Sequence, residues 1–258
     1  MEATVPIWRV RSASVPGSGH LTRALECQDF NAVSVLSNGT LIVVVCDGAG
    51  SAKRAAEGAA LAARSSMGFL ERLLVGGGLA DAEGWRRVLT DCLVQARSAL
   101  VELAARQTDT GKPTDHMEFA TTLLVAVVSK TWLAAVQVGD GAIVSRDVSG
   151  AFSVLTVPGD CEYINETTFI TSSDFLERAH FHIERNAEVN GVSALSDGMQ
   201  MLALKYADNT AHAPFFTSLF DFAARPDSSD SDLEEFLRSE RVCERTDDDK
   251  TLVLAVLT

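Results

Sequence analysis

The chain has 258 residues, 47% of them hydrophobic, and carries 22 Lys and Arg against 35 Asp and Glu, a net charge of −13. That size and apolar content suffice for one substantial core, and no internal repeat or long linker divides the chain, so residues 1–258 are expected to form a single domain. The acidic balance disfavours nonspecific binding to nucleic acid or to an anionic membrane, no apolar run reaches the roughly 18 residues of a membrane span, and Met1-Glu2-Ala3-Thr4 lacks the basic start and apolar core of a signal peptide, so a cytoplasmic location is expected.

Leu41 to Cys46 is a continuous apolar run that leads into Asp47-Gly48-Ala49-Gly50. A helix rich in Ala and Leu is predicted from Ala55 to about Leu74, ended by Gly76-Gly77-Gly78. A second is predicted over Ala80–Ala105, with Trp85, Val88, Leu89, Cys92, Leu93, Ala96, Leu100 and Leu103 at helical spacing. Polar Arg106 to Glu118, with Gly111 and Pro113, reads as a mobile loop.

From Phe119 the period changes to that of strands, predicted at Thr121–Val128, Trp132–Val138, Ala142–Arg146 and Phe152–Val157. Val192 to Ser196 leads into Asp197-Gly198, and Phe215, Phe216, Leu219, Phe220 and Phe222 indicate a late helix. The acidic stretch Asp227 to Asp232 reads as solvated surface, with Ser231 and Glu234 as a capping box for the helix that follows. Asp247-Asp248-Asp249 then opens a last apolar strand from Thr251 to Val256.

Four aspartates, Asp29, Asp47, Asp197 and Asp248, sit at the margins of these segments. Where two such strands lie antiparallel, a carboxylate leaving one and a carboxylate entering the other share a sheet edge. Carboxylates gathered there repel, and a hard divalent cation such as Mg²⁺ or Mn²⁺, which takes oxygen ligands, relieves them. The bland alternative is that each Asp is a turn or cap residue beside its glycine.

The five cysteines, Cys27, Cys46, Cys92, Cys161 and Cys243, show no paired spacing, so neither a disulfide framework nor a zinc site is expected. His180 and His182 would share one face of a strand, and an edge strand accounts for them.

The motifs, in order, resemble those of the metal-dependent protein phosphatases of the type 2C (PPM) class, over about His20 to Leu257. Cys27-Gln28-Asp29 resembles the early acidic motif and Asp47-Gly48-Ala49-Gly50 the Asp-Gly-x-Gly motif. Ala120-Thr121-Thr122 with Val138-Gly139-Asp140-Gly141 resembles Gly-Thr-Thr and Gly-Asp-Ser-Arg. Ser196-Asp197-Gly198 and Asp248-Asp249-Lys250-Thr251 resemble Ser-Asp-Gly and Asp-Asn-x-Thr. Gly50-Ser51-Ala52-Lys53 departs from the family's Gly-Gly-His, and Ala142 stands where its Arg would be. The Arg that precedes the first acidic motif has only Arg23 and His20 as nearby substitutes for contacting substrate phosphate. These departures look like a divergent bacterial branch.

The resemblance implies an α+β fold, a four-layer α-β-β-α sandwich with two central, mainly antiparallel sheets. It implies two Mg²⁺ or Mn²⁺ ions, with a third left open. Asp47 would bridge them, Gly48 would offer its carbonyl, Asp197 and Asp248 would complete the shell, and Asp29 would act behind it or through water. Asp249 is the alternative to Asp248, with the alignment of Thr251 favouring Asp248. The implied reaction is direct attack of a metal-activated water on phosphoserine or phosphothreonine in proteins, reversing a bacterial Ser/Thr kinase. Two rivals are a regulatory pseudophosphatase and a hydrolase of small-molecule phosphoesters.

Overall fold

The structure, a computed structural model, describes residues 7–109, 112–156, 167–185, 188–205 and 207–258. In chain order its elements are β1 (Trp8–Val15), α1 (Ser18–Thr22), β2 (Asp29–Val35), β3 (Leu41–Asp47), α2 (Ala55–Leu74), α3 (Ala82–Arg106), β4 (Thr108–Asp109) and β5 (Lys112–Pro113). They continue with β6 (Leu123–Val128), β7 (Trp132–Val138), β8 (Ala142–Asp147), β9 (Phe152–Thr156), β10 (His180–Arg185) and β11 (Val189–Leu195). The chain closes with α4 (Gln200–Ala203), α5 (Ala213–Ala224), α6 (Asp230–Arg238), α7 (Glu240–Cys243) and β12 (Lys250–Leu257).

Two five-stranded sheets, ordered β1-β12-β11-β8-β9 and β10-β7-β6-β3-β2, form the centre, and every pairing in them is antiparallel. The alternation of side chains across a strand explains the layering. In β3, Ile42, Val44 and Cys46 join Leu70, Trp85, Leu89 and Leu93 of α2 and α3 in one buried cluster. Leu41, Val43 and Val45 join Val253 and Ala255 of β12 in a second cluster between the sheets. In β12, Leu252, Leu254 and Val256 turn outward to Phe216, Phe220 and Leu233 of α5 and α6. Three apolar layers thus separate four structural ones, the α-β-β-α sandwich. A strand with both faces covered has no polar side to show, so β3 reads as an unbroken apolar run.

The helices begin and end for local reasons. Asp81 caps α3 by accepting from the Gly84 amide at 2.8 Å, which starts the helix two residues after its predicted onset. On α2, Gly58 lies so close to the turn before β6 that a Cβ there would stand 2.2 Å from the Phe119 carbonyl oxygen. Replacing the fully buried Trp85 of α3 by Ala would cost about 3–5 kcal/mol.

Three expectations need correction. The stretch from Arg106 to Glu118 holds a two-residue antiparallel ladder, β4 with β5, and a 3₁₀ turn at His116–Phe119, because Asp115 accepts from the Met117 amide and caps that turn. The capping box of α6 is formed by Ser229 and Asp232, two residues earlier than Ser231 and Glu234, since the chain enters the helix at Asp230. Thr121 is not in β6 but makes a lone bridge with Gly48. The predicted strand end at Val157 and Cys161 lie outside the described residues. His180 and His182 are on β10, an edge strand, as expected. Among the described residues, no helix is long and apolar enough to cross a membrane.

Candidate metal centre

The ends of strands from both sheets meet in a pocket of about 140 Å³, with Asp47, Asp140, Asp197 and Asp248 in its wall. One oxygen each from Asp47, Asp140 and Asp197 lies within 4.8 Å of the others, close enough to hold one ion.

Each carboxylate is delivered by a distinct piece of backbone. Asp47 ends β3, and its peptide is gripped by the Thr-Thr pair after the 3₁₀ turn. Its amide donates to Thr122 Oγ1 at 2.9 Å, while its carbonyl accepts from Thr121 Oγ1 at 2.9 Å and the Thr122 amide at 2.8 Å. Gly48 follows, and a Cβ there would meet Ala55 at 2.8 Å, so only glycine lets α2 start against this turn. Asp197 leaves β11 through Ser196, whose amide donates to the Thr251 carbonyl of β12. A Cβ at Gly198 would stand 2.0 Å from the Asp249 carbonyl oxygen, which shows how tightly the two strand ends abut.

Asp29 lies behind this cluster. It is paired in register with Asp47 across β2 and β3, and its Oδ2 accepts from Ser196 Oγ at 2.7 Å. Asp29 Oδ1 and Asp197 Oδ1 are buried without a hydrogen-bond partner. Buried acceptors of this kind cost free energy unless something electropositive reaches them. Burial first, and then the neighbouring carboxylates, push Asp197 up to about 6 and Asp29 up to about 7. The same two causes hold Asp47 well above the usual carboxylate range. An all-oxygen donor set with orphaned lone pairs and too much negative charge suits a hard divalent cation such as Mg²⁺ or Mn²⁺.

The neighbouring pair at the start of β12 divides its labour. Asp248 is exposed at the pocket, accepts from the Asp249 amide at 2.8 Å, and has its carbonyl held by Lys250 Nζ at 3.3 Å. Asp249 is 2% exposed, and its two oxygens are taken by the Gly17 amide at 2.7 Å, His20 Nδ1 at 2.8 Å and the Gln28 amide at 2.5 Å. That saturation ties α1 and the start of β2 to β12 and leaves Asp249 little capacity for an ion.

His20 and Gln28 line the pocket, whereas Arg23 is exposed just after α1, bonds the Gly19 carbonyl through Nε at 2.9 Å, and is not in the pocket wall. Lys53, in the segment that departs from the family's Gly-Gly-His, is 69% exposed and lies 3.5 Å from Glu118. Burial, with Asp29 and Asp249 nearby, raises the Cys27 thiol above its ordinary value, which disfavours the thiolate a nucleophile needs.

Asp140 was absent from the ligand set drawn from the sequence, although the Val138-Gly139-Asp140-Gly141 motif that carries it was legible. Thr167, whose Oγ1 donates to Asp140 Oδ2 at 2.7 Å, and Phe169 also line the pocket.

Comparison with known proteins agrees with this fold. The family model for protein phosphatase 2C matches residues 16–238. The chain is 35% identical to the serine/threonine-protein phosphatase 3 of Escherichia coli (strain K12) over 261 residues, covering 96% of this chain and 98% of that protein. Among solved structures, the S. agalactiae serine/threonine phosphatase superposes with a TM-score of 0.64 at 15% identity, covering 97% of this chain and all of that one. The serine/threonine phosphatase Stp1 of Staphylococcus aureus gives a TM-score of 0.62 at 13% identity, covering 100% of this chain and 98% of that one.

Proposed function

Because the chain belongs to the protein phosphatase 2C family, we propose that it is a Mg²⁺- or Mn²⁺-dependent phosphatase that hydrolyses phosphoserine and phosphothreonine in proteins. The observation that carries this reading is the convergence of Asp47, Asp140 and Asp197 on one point, with orphaned buried oxygens on Asp197 and on Asp29 behind it.

Asp47, the Gly48 carbonyl, Asp197 and Asp248 are the proposed ligands, and Asp140 joins them from the β7–β8 turn. Bound cations would lower the pKa of a water for in-line attack and offset charge on the phosphoryl oxygens. Thr121 and Thr122 hold the Asp47 peptide so that its carboxylate need not reorganise. Asp29, bonded to Ser196, keeps the two strand ends at a fixed separation and adds negative charge behind the ligands. His20 and Gln28 line the pocket that a phosphate ester would enter, and His20 is the better supported of the two phosphate contacts considered. Carboxylates supplied by both sheets support reading residues 1–258 as one phosphatase domain.

The reading extends to a phosphoprotein made by a Ser/Thr kinase in the bacterial cytoplasm, supported by the bacterial source of the relatives. The test is phosphate release from a phosphothreonine peptide, with and without Mn²⁺, by the wild type and Asp47→Asn. Metal-dependent release that the variant loses is expected. A folded wild type with no release at any Mn²⁺ concentration would defeat the proposal in favour of a pseudophosphatase, and release from aryl phosphate alone would favour a small-molecule phosphoesterase.

A further inference from the structure

We infer that Gln137 is a positioning residue for the Asp140 turn, and that its side-chain amide sets how tightly the chain holds a divalent cation at the Asp47–Asp140–Asp197 cluster. The inference rests on the metal reading above and adds to it a residue three positions before Asp140.

Gln137 is the penultimate residue of β7, with Leu124 of β6 and His180 of β10 opposite it. Its neighbours Val136 and Val138 face the layer of α2 and α3, so Gln137 faces the apolar space between the two sheets, where it is fully buried. A primary amide in such a place needs a reason. Its Nε2 donates to the Gly139 carbonyl at 3.0 Å and to the Gly141 carbonyl at 3.2 Å, one on each side of Asp140. Gln200 Nε2 grips the same Gly141 carbonyl at 3.0 Å from the other side of the turn.

The turn needs this grip. Gly139 and Gly141 have φ of +102° and +104°, a region that favours glycine. A Cβ at Gly139 would stand 2.4 Å from Thr122 Cγ2, and one at Gly141 2.5 Å from the Leu195 carbonyl oxygen. Asp140 therefore sits between two residues that cannot carry side chains, in a turn whose backbone lies close against Thr122 and Leu195. Thr167 fixes the carboxylate end, and the glutamine amides fix the peptide.

Gln137 Oε1 is buried without a hydrogen-bond partner. Rotating the amide by 180° would only aim that oxygen at two carbonyl oxygens, so the orientation is set by the turn. An apolar side chain of the same length would remove the orphan acceptor. The glutamine thus carries a local cost that only its hold on the Asp140 turn offsets, as with other residues that orient metal ligands from behind.

The experiment compares wild type, Gln137→Met and Gln200→Met, each stripped of metal. Thermal melts are recorded first, then Mn²⁺ is added by calorimetric titration, and phosphate release is measured against Mn²⁺ concentration. For Gln137→Met we expect a metal-free melting temperature equal to or above that of wild type, together with Mn²⁺ affinity weaker by about 10-fold to 100-fold. Turnover should return to within about 3-fold of wild type once Mn²⁺ saturates, since the ligands themselves are intact. Gln200→Met, altered outside the core, should weaken affinity in the same direction and keeps the test available if Gln137→Met does not fold. Unchanged Mn²⁺ affinity in a folded variant, or lost turnover that no Mn²⁺ concentration restores, would overturn the inference. A wild type that takes up no Mn²⁺ would instead overturn the metal reading, and this inference with it.

Discussion

Asp29 and Asp47 stand directly opposite each other at the end of the β2–β3 ladder. Like charges at facing positions on neighbouring strands are destabilising, and here both carboxylates are also withdrawn from water. The strand pairing that builds the sheet therefore also stores electrostatic free energy at its end, which a cation can release. Stability and metal binding are coupled through this pair.

Asp47→Asn is expected to lower phosphate release by at least about 100-fold while leaving the metal-free protein as stable as wild type or more so, because one repelling charge is gone. Activity assays after chelation and Mn²⁺ add-back, with melting curves beside them, check both halves. Retained turnover would remove Asp47 from the centre.

The pH dependence of the metal-free protein has a definite sign. Asp197 is raised to about 6 and Asp29 to about 7, from 3.8 when unfolded. The folded chain thus holds protons that the unfolded chain has released. The stability these groups contribute is fully present below about pH 4 and is lost as pH rises through 6 to 7. Mn²⁺ takes the place of those protons. The gain in melting temperature on adding Mn²⁺ should therefore be larger near about pH 8 than near about pH 5.5. An equal gain at both would mean that the ion does not displace protons from this pair.

Asp248 and Asp249 are separable although adjacent. Asp249→Ala orphans three donors and should destabilise the protein by about 2–4 kcal/mol with or without metal, by the cost of unsatisfied buried partners. Asp248→Asn should leave the metal-free melting temperature nearly unchanged and weaken Mn²⁺ binding. Denaturant melts and calorimetric titration of the two variants would expose a reversed assignment.

The two phosphate contacts considered can likewise be told apart. His20 lines the pocket and Arg23 does not, so His20→Ala should raise KM for a phosphopeptide by about 10-fold and Arg23→Ala by less than about 2-fold. The opposite ranking would return the role to Arg23.

Much of the fold was legible because local physics repeats along the chain. The helical stripe of α3 and the apolar run of β3 depend only on which faces must be buried, and both were read near their true bounds. Caps were less legible, since Ser229 and Ser231 both precede an acidic residue three positions on, and only the chain's entry angle at Asp230 selects the first.

The carboxylates beside apolar segments could be identified from the sequence alone, because strand ends that carry Asp and Gly announce themselves in any register. Their grouping could not. Asp29 meets Asp47 by strand pairing, but Asp140 meets Asp47 and Asp197 only because two sheets stack with their ends aligned, and nothing within either sheet's sequence encodes that alignment. Tertiary structure also decided that Asp249 is consumed by Gly17, His20 and Gln28, while Asp248, one residue away in the same pocket wall, stays exposed. Which of two successive carboxylates is saturated and which is left open depends on what packs against each.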